Sequence, residues 1–128
     1  MTTEVVMDSS AILALAFREH GRDHVAVALA GAAISSVNLT EVMSKLLDSG
    51  LSPAQVDHQL DAFSLSVADF DRDLAMRTAL LRAATRHKGL SLGDRACLAL
   101  AMREKLPVMT ADRVWTDLDL PVEVVLIR

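Results

Sequence analysis

Short apolar runs alternate with longer stretches in which apolar residues recur every three or four positions, and the alternation runs the length of the chain. Glu4-Val5-Val6-Met7 reads as a short buried strand ending at Asp8, and Ser9 and Ser10 can cap a helix running through Ala11, Leu13 and Phe17. Gly21 interrupts the pattern, and His24 to Leu29 reads as a second short helix. Ala32 to Ser35 is a weak strand, followed by an amphipathic helix with Leu39, Val42, Met43, Leu46 and Leu47 at helical spacing, stopped by Gly50. Ser52-Pro53-Ala54-Gln55 has the spacing of a capping box with proline at the first helical position. Ser64 to Ala68 alternates like a strand, and Asp71 to Thr85 predicts a long helix ended by Gly89. Ala96 to Met102 is apolar on nearly every side, as expected of a helix buried by both a sheet and a neighbour. Val108 to Thr110 predicts a strand, a short turn carries Asp112 and Trp115, and Val122 to Ile127 predicts the last strand. Short apolar strands with helices between them imply an α/β fold: a three-layer α/β/α sandwich with a short parallel central sheet. No repeat, low-complexity tract or linker divides residues 1–128, which read as a single domain.

Composition narrows the picture. A chain of 128 residues can remove roughly two-thirds of its unfolded surface from water. With 52% hydrophobic but only 3% aromatic residues, the core must be built from Ala, Val, Leu, Ile and Met. No apolar run approaches the ~20 residues that span a bilayer, and no basic segment precedes the first one, so neither a membrane span nor a signal peptide is expected. The lone Cys97 cannot form an internal disulfide and reads as a small core residue, which suits a reducing cytoplasm. The net charge of −4 does not decide for or against a nucleic-acid partner, because setting aside four candidate site acids brings the balance to zero.

Those acids are Asp8, Glu41, Asp94 and Asp112. Each falls where a predicted strand or turn hands over to a helix, and in a parallel α/β fold such points gather along one edge of the sheet, where ligands bind. Every one has an ordinary reading as well. Asp8, Asp94 and Asp112 stand where an aspartate caps a helix, and Glu41 lies three residues after Asn38 and four before Lys45, the spacings of a capping box and an ion pair. The coincidence of all four favours a site, because Ser, Thr or Asn would cap equally well. Four gathered carboxylates call for a hard cation such as Mg²⁺ or Mn²⁺. The expectation is that the four converge on one cleft. With no Cys–His pair, zinc spacing or defensible Ser–His–Asp order, the inventory suits water activated by a metal for phosphoryl transfer.

Val6-Met7-Asp8-Ser9-Ser10-Ala11, Asn38-Leu39-Thr40-Glu41, Leu92-Gly93-Asp94-Arg95-Ala96 and Thr110-Ala111-Asp112-Arg113-Val114-Trp115 resemble, in order and spacing, the four acidic motifs of the PIN-domain family. The nearest likeness is to VapC-type toxins of bacterial toxin–antitoxin pairs, and it covers essentially the whole chain. The resemblance implies a Mg²⁺- or Mn²⁺-dependent endoribonuclease that leaves 5′-phosphate and 3′-hydroxyl ends and is held inactive by a cognate antitoxin. It implies that Asp8, Glu41, Asp94 and Asp112 hold the metal, with Ser10 and Thr110 shaping the site.

Basic residues supply candidate RNA contacts. Arg95 and Arg113 each follow a site acid and could pair with the RNA backbone or with a neighbouring carboxylate. Arg82 and Arg86, four apart on one helix, could hold phosphate, or could simply complement a helix C-terminus before Gly89. Trp115 reads as a packing anchor, and His20, His24 and His58 receive no role. Abundant apolar residues on the helices point to a homodimer or an antitoxin-filled groove as well as to the core. Two rivals remain: a PIN-like binding module with little turnover, and another acid-lined phosphohydrolase or phospho-acceptor domain. Against the second, Asp8 is followed by Ser9 and Ser10 where such domains want another Asp, and the Lys residues fall elsewhere than the position near a later strand where they want one.

Overall fold

In a computed structural model of the chain, which describes residues 2–128, five apolar runs form one all-parallel sheet. The strands are β1 (Val5–Met7), β2 (Ala32–Ser35), β3 (Ser66–Ala68), β4 (Val108–Thr110) and β5 (Val124–Leu126), in the spatial order β3-β2-β1-β4-β5. Every residue of β1, β2 and β4 is buried, which is why these segments read as apolar runs and not as alternating patterns. Val6 lies opposite both Ala33 and Val108, and Met7 opposite Met109.

Successive side chains of each strand feed opposite layers. Val5, Met7, Ala32, Ile34 and Met109 join a core with α1 (Ser9–Ala16), α2 (Arg22–Ala28), α3 (Ser36–Asp48) and α4 (Pro53–Phe63). Val6 and Val108 join another with α5 (Arg72–Thr85), α6 (Leu92–Glu104) and Trp115. The result is the expected three-layer α/β/α arrangement. All six residues from Ala96 to Ala101 are buried, since α6 lies between the sheet and α5. Trp115 is 1% exposed and anchors this layer, as its packing reading requires.

Several boundaries differ from the sequence expectation for local reasons. The strand expected over Ser64 to Ala68 begins at Ser66, because Ser64 takes a left-handed conformation at the end of α4. The last strand narrows to Val124–Leu126, although Ile127 N–H still donates to Thr110 O at 3.0 Å. The second helix starts early, at Arg22, because Gly21 turns the chain with φ 97°, and a Cβ there would meet the carbonyl oxygen of Ile127 at 2.5 Å. Ser52 and Gln55 form the expected capping box. Among the described residues no helix is long and apolar enough to cross a membrane.

Core burial predicts a sharp contrast between two truncations. Leu98 is fully buried and Val27 is 86% exposed. Leu98→Ala should lower unfolding free energy by about 2–5 kcal/mol in a urea titration, whereas Val27→Ala should change it by no more than about 0.5 kcal/mol.

Candidate metal centre

The strand order reverses between β1 and β4, and a crevice opens beyond their carboxyl ends at such a reversal. Asp8 stands at that point, its N–H donating to Met109 O at 2.9 Å and so tying the two strand ends together. It occupies the N-cap position of α1 yet its side chain caps nothing. Instead the carboxylate Oδ2 accepts from Ser10 Oγ at 2.6 Å and from Thr110 Oγ1 at 2.8 Å. Both hydroxyls are held in turn: Ser10 Oγ accepts from the N–H of Ala111 at 3.0 Å and Thr110 Oγ1 from the N–H of Asp112 at 3.1 Å. Ser10 and Thr110 therefore clamp one oxygen of Asp8 and leave Oδ1 without a protein partner among the described residues.

Glu41 reaches the site from the second turn of α3. Its expected capping box does not form, because Ser35 is the N-cap of that helix, accepting from Val37 N–H at 3.2 Å. Nor does Glu41 pair with Lys45 among the described residues. The fully buried amide of Asn38 holds it instead, donating to Glu41 Oε1 at 3.0 Å and to the carbonyl of Gly93 at 3.0 Å. This braces α3 against the first turn of α6. Gly93 lies against the Glu41 carboxylate, where a Cβ would come within 2.7 Å of Glu41 Cδ. Asn38, Gly93 and Ser35 are positioning residues that the sequence alone does not single out; Asn38 carries a signal, a polar residue near the start of a helix, but the same signal belongs to a cap.

Asp94 and Asp112 keep their capping roles. Ser91 and Asp94 form a capping box at the start of α6, with Asp94 Oδ2 accepting from Ser91 N–H at 3.0 Å. Asp112 Oδ1 accepts from Val114 N–H at 3.0 Å. In each case the second oxygen has no protein partner among the described residues, so a cap and a ligand role are compatible. Asp112 is exposed and stands outermost, linked to Asp8 through the Thr110 hydroxyl.

Electrostatics links three of the acids. Burial pushes the Asp8 pKa up to about 6, opposed by the bonds from Ser10 and Thr110 and reinforced by the charges of Asp94 and Glu41. The Cys97 thiol is pushed well above its ordinary value, first by burial and then by the charges of Asp8, Asp94 and Glu41. Cys97 thus feels the charges of the same three acids and stays a buried thiol. Among the described residues no three acids close on a common centre as a ready-made cage. A Mg²⁺-type ion keeps several waters and needs only one or two direct carboxylates, so a set of oxygen donors with one buried, unpaired carboxylate fits such an ion. The absence of His or thiolate from the set does not fit zinc.

The basic candidates divide. Arg95 turns away to α5, where its Nη1 donates to Thr78 O at 3.1 Å, and Arg82, Arg86 and Arg95 line one groove together. Arg113 is exposed at the start of the short turn after Asp112.

The family described as PIN domain matches residues 5–120 of the chain. No curated protein matches it. Among solved structures, the DNA-bound VapBC from Salmonella typhimurium is similar at 22% identity and a TM-score of 0.77, covering 99% of this chain and 100% of that one. VapBC2 from Rickettsia felis, bound to a promoter DNA fragment, is similar at 16% identity and a TM-score of 0.75, covering 97% and 98%. VapBC-5 from Mycobacterium tuberculosis is similar at 24% identity and a TM-score of 0.63, covering 98% of each chain. At these identities the likeness is one of fold.

Two substitutions test the site's construction. Alanine normally stabilises a helix over glycine by up to about 1 kcal/mol, but Gly93→Ala should lower the urea midpoint, because the methyl group meets the Glu41 carboxylate. Asp8 binds its proton more tightly folded than unfolded, so its contribution to stability is full below pH 3.8 and is lost as pH rises through about 6. In chelator, Asp8→Asn should therefore be more stable than wild type at pH 7.5, by an amount on the order of 1–3 kcal/mol, and should lose that advantage near pH 4. A constant difference across that range would show that Asp8 is not strained by its charge.

Proposed function

Because the chain belongs to the PIN-domain family, we propose that it is a divalent-metal-dependent endoribonuclease of the VapC type, restrained by a cognate antitoxin. One observation carries this reading: the Asp8 carboxylate is buried at the strand reversal, feels the charges of Glu41 and Asp94, and has no cationic partner among the described residues. A buried charge so placed is costly unless a cation joins it. Asp8, Glu41, Asp94 and Asp112 would hold Mg²⁺ or Mn²⁺, directly or through water.

The chemistry such an ion supplies when bound is acidification of water and neutralisation of charge on the phosphodiester. The protein's part is positioning. Ser10 and Thr110 fix the Asp8 carboxylate in one orientation, and Asn38 fixes Glu41. The capping bonds fix Asp94 and Asp112 on backbone that is itself anchored. With its oxygens held before substrate arrives, the site needs little rearrangement as charge develops.

Two partner readings accompany the activity. An antitoxin segment that brings an arginine to the acids could satisfy two carboxylate oxygens at once and compete with the metal. A homodimer is supported by the exposed Met76 and Leu80 on α5, beside an apolar groove lined by Arg77, Leu80, Leu81, Ala99 and Met102.

Purified, antitoxin-free protein should cut single-stranded RNA with Mg²⁺ or Mn²⁺ and stop in excess EDTA. Asp94→Asn keeps an oxygen for the Ser91 N–H and so keeps the cap, but should lower cleavage on the order of a hundredfold or more. Binding of RNA without turnover in either metal would favour the binding-module rival, and cleavage persisting in EDTA would exclude the metal mechanism.

A further inference from the structure

The end of α5 and the turn into α6 enclose a groove of about 280 Å³ lined by Arg82, Thr85, Arg86, Gly89, Leu90 and Arg95. Three of these six residues are arginines, from α5, the short turn after it and α6, and none is acidic. Arg77, Arg103 and Arg128 all find carboxylates, whereas Arg82, Arg86 and Arg95 make no ion pair among the described residues. Arg95 donates one bond to the Thr78 carbonyl, and its Nε is buried with no acceptor. A guanidinium carries five N–H donors, so most of its capacity is uncommitted.

Complementing a helix C-terminus accounts for Arg82 and Arg86, in the last turn of α5 and the short turn after it. It does not account for Arg95. That residue sits at the opposite kind of end, in the first turns of α6, where the helix dipole disfavours a cation. Three like charges brought into one groove repel one another unless an anion lies between them. The planar forks of arginine suit phosphate, which accepts bidentate bonds. Arg95 directly follows Asp94, so one helix start carries both a lining residue of the groove and one of the acids.

We propose that this groove is a backbone-phosphate subsite that holds the RNA strand next to the acidic site, with Arg82, Arg86 and Arg95 as its phosphate contacts. The inference rests on the ribonuclease reading and adds to it a second, metal-independent site of substrate affinity. Arg82 and Arg86 bind, and Arg95 both binds and joins the subsite to the helix that carries Asp94.

The test is fluorescence anisotropy of a labelled single-stranded RNA in EDTA, where nothing is cut, across a series of salt concentrations. Arg82 and Arg86 are exposed, so replacing both with alanine leaves the core intact, while Arg95 is left in place because it also bridges to α5. The double variant should bind on the order of tenfold more weakly at 0.1 M salt, and its log–log salt slope should be shallower by about 1.4, or ~0.7 for each lost contact. The double lysine variant, Arg82→Lys with Arg86→Lys, should recover the slope. Identical affinity and slope in wild type and the double alanine variant would overturn the subsite, as would failure of wild type to bind RNA. Arginine-dependent binding by a wild type that cuts nothing with Mg²⁺ would support the groove and remove the nuclease reading. Cleavage together with arginine-independent binding would remove the groove alone.

Discussion

The structure turns on one buried carboxylate. Asp8 is 5% exposed at the place where β1 and β4 part, with Glu41 and Asp94 near enough to push its pKa upward. A carboxylate in that position opposes folding unless something binds it, and the surroundings are arranged to hold it there. Two hydroxyls bond to the same oxygen, each locked by a backbone N–H of the Ala111–Asp112 turn, and the Asp8 N–H is spent on β4. The geometry of the loop after β4 and that of Asp8 are therefore a single unit.

The helices serve the same constraint from the other side. Asn38 binds Glu41 and the Gly93 carbonyl together, so the approach of α3 to α6 and the position of the glutamate are set by one amide. Gly93 is required there because the carboxylate occupies the space a side chain would take. The apolar burial of α6 then fixes Asp94 at the crevice and sends Arg95 to the α5 side. On the proposed reading, one helix start divides its work between metal and phosphate.

Much of this was legible in the chain. Buried strands announce themselves as short apolar runs, and β2 and β4 span the predicted residues, because nothing but apolar burial selects them. The edges were harder: Ser64 and Ser66 look alike in an alternating pattern, but only the left-handed turn at Ser64 separates helix end from strand. The four acids were found as a set, yet their capping readings sorted only in three dimensions. Asp8 and Glu41 do not cap, whereas Asp94 and Asp112 do. Spacing cannot reveal this, since it specifies which bond is possible and not which one tertiary contact replaces. The same limit hid the brace between Asn38 and Gly93, 55 positions apart, and the turn of Arg95 away from the acid it follows.

On the proposed reading, the buried Asp8 and its acidic neighbours share a divalent cation. Crystals of the antitoxin-free protein soaked in Mn²⁺ and measured for anomalous scattering test it most directly. A peak should stand about 2 Å from an Asp8 oxygen, with Glu41 or Asp94 in its first or water-bridged coordination. Saturating Mn²⁺ that leaves this crevice without a peak, or a peak only at acids remote from Asp8, would show that Asp8 holds no metal.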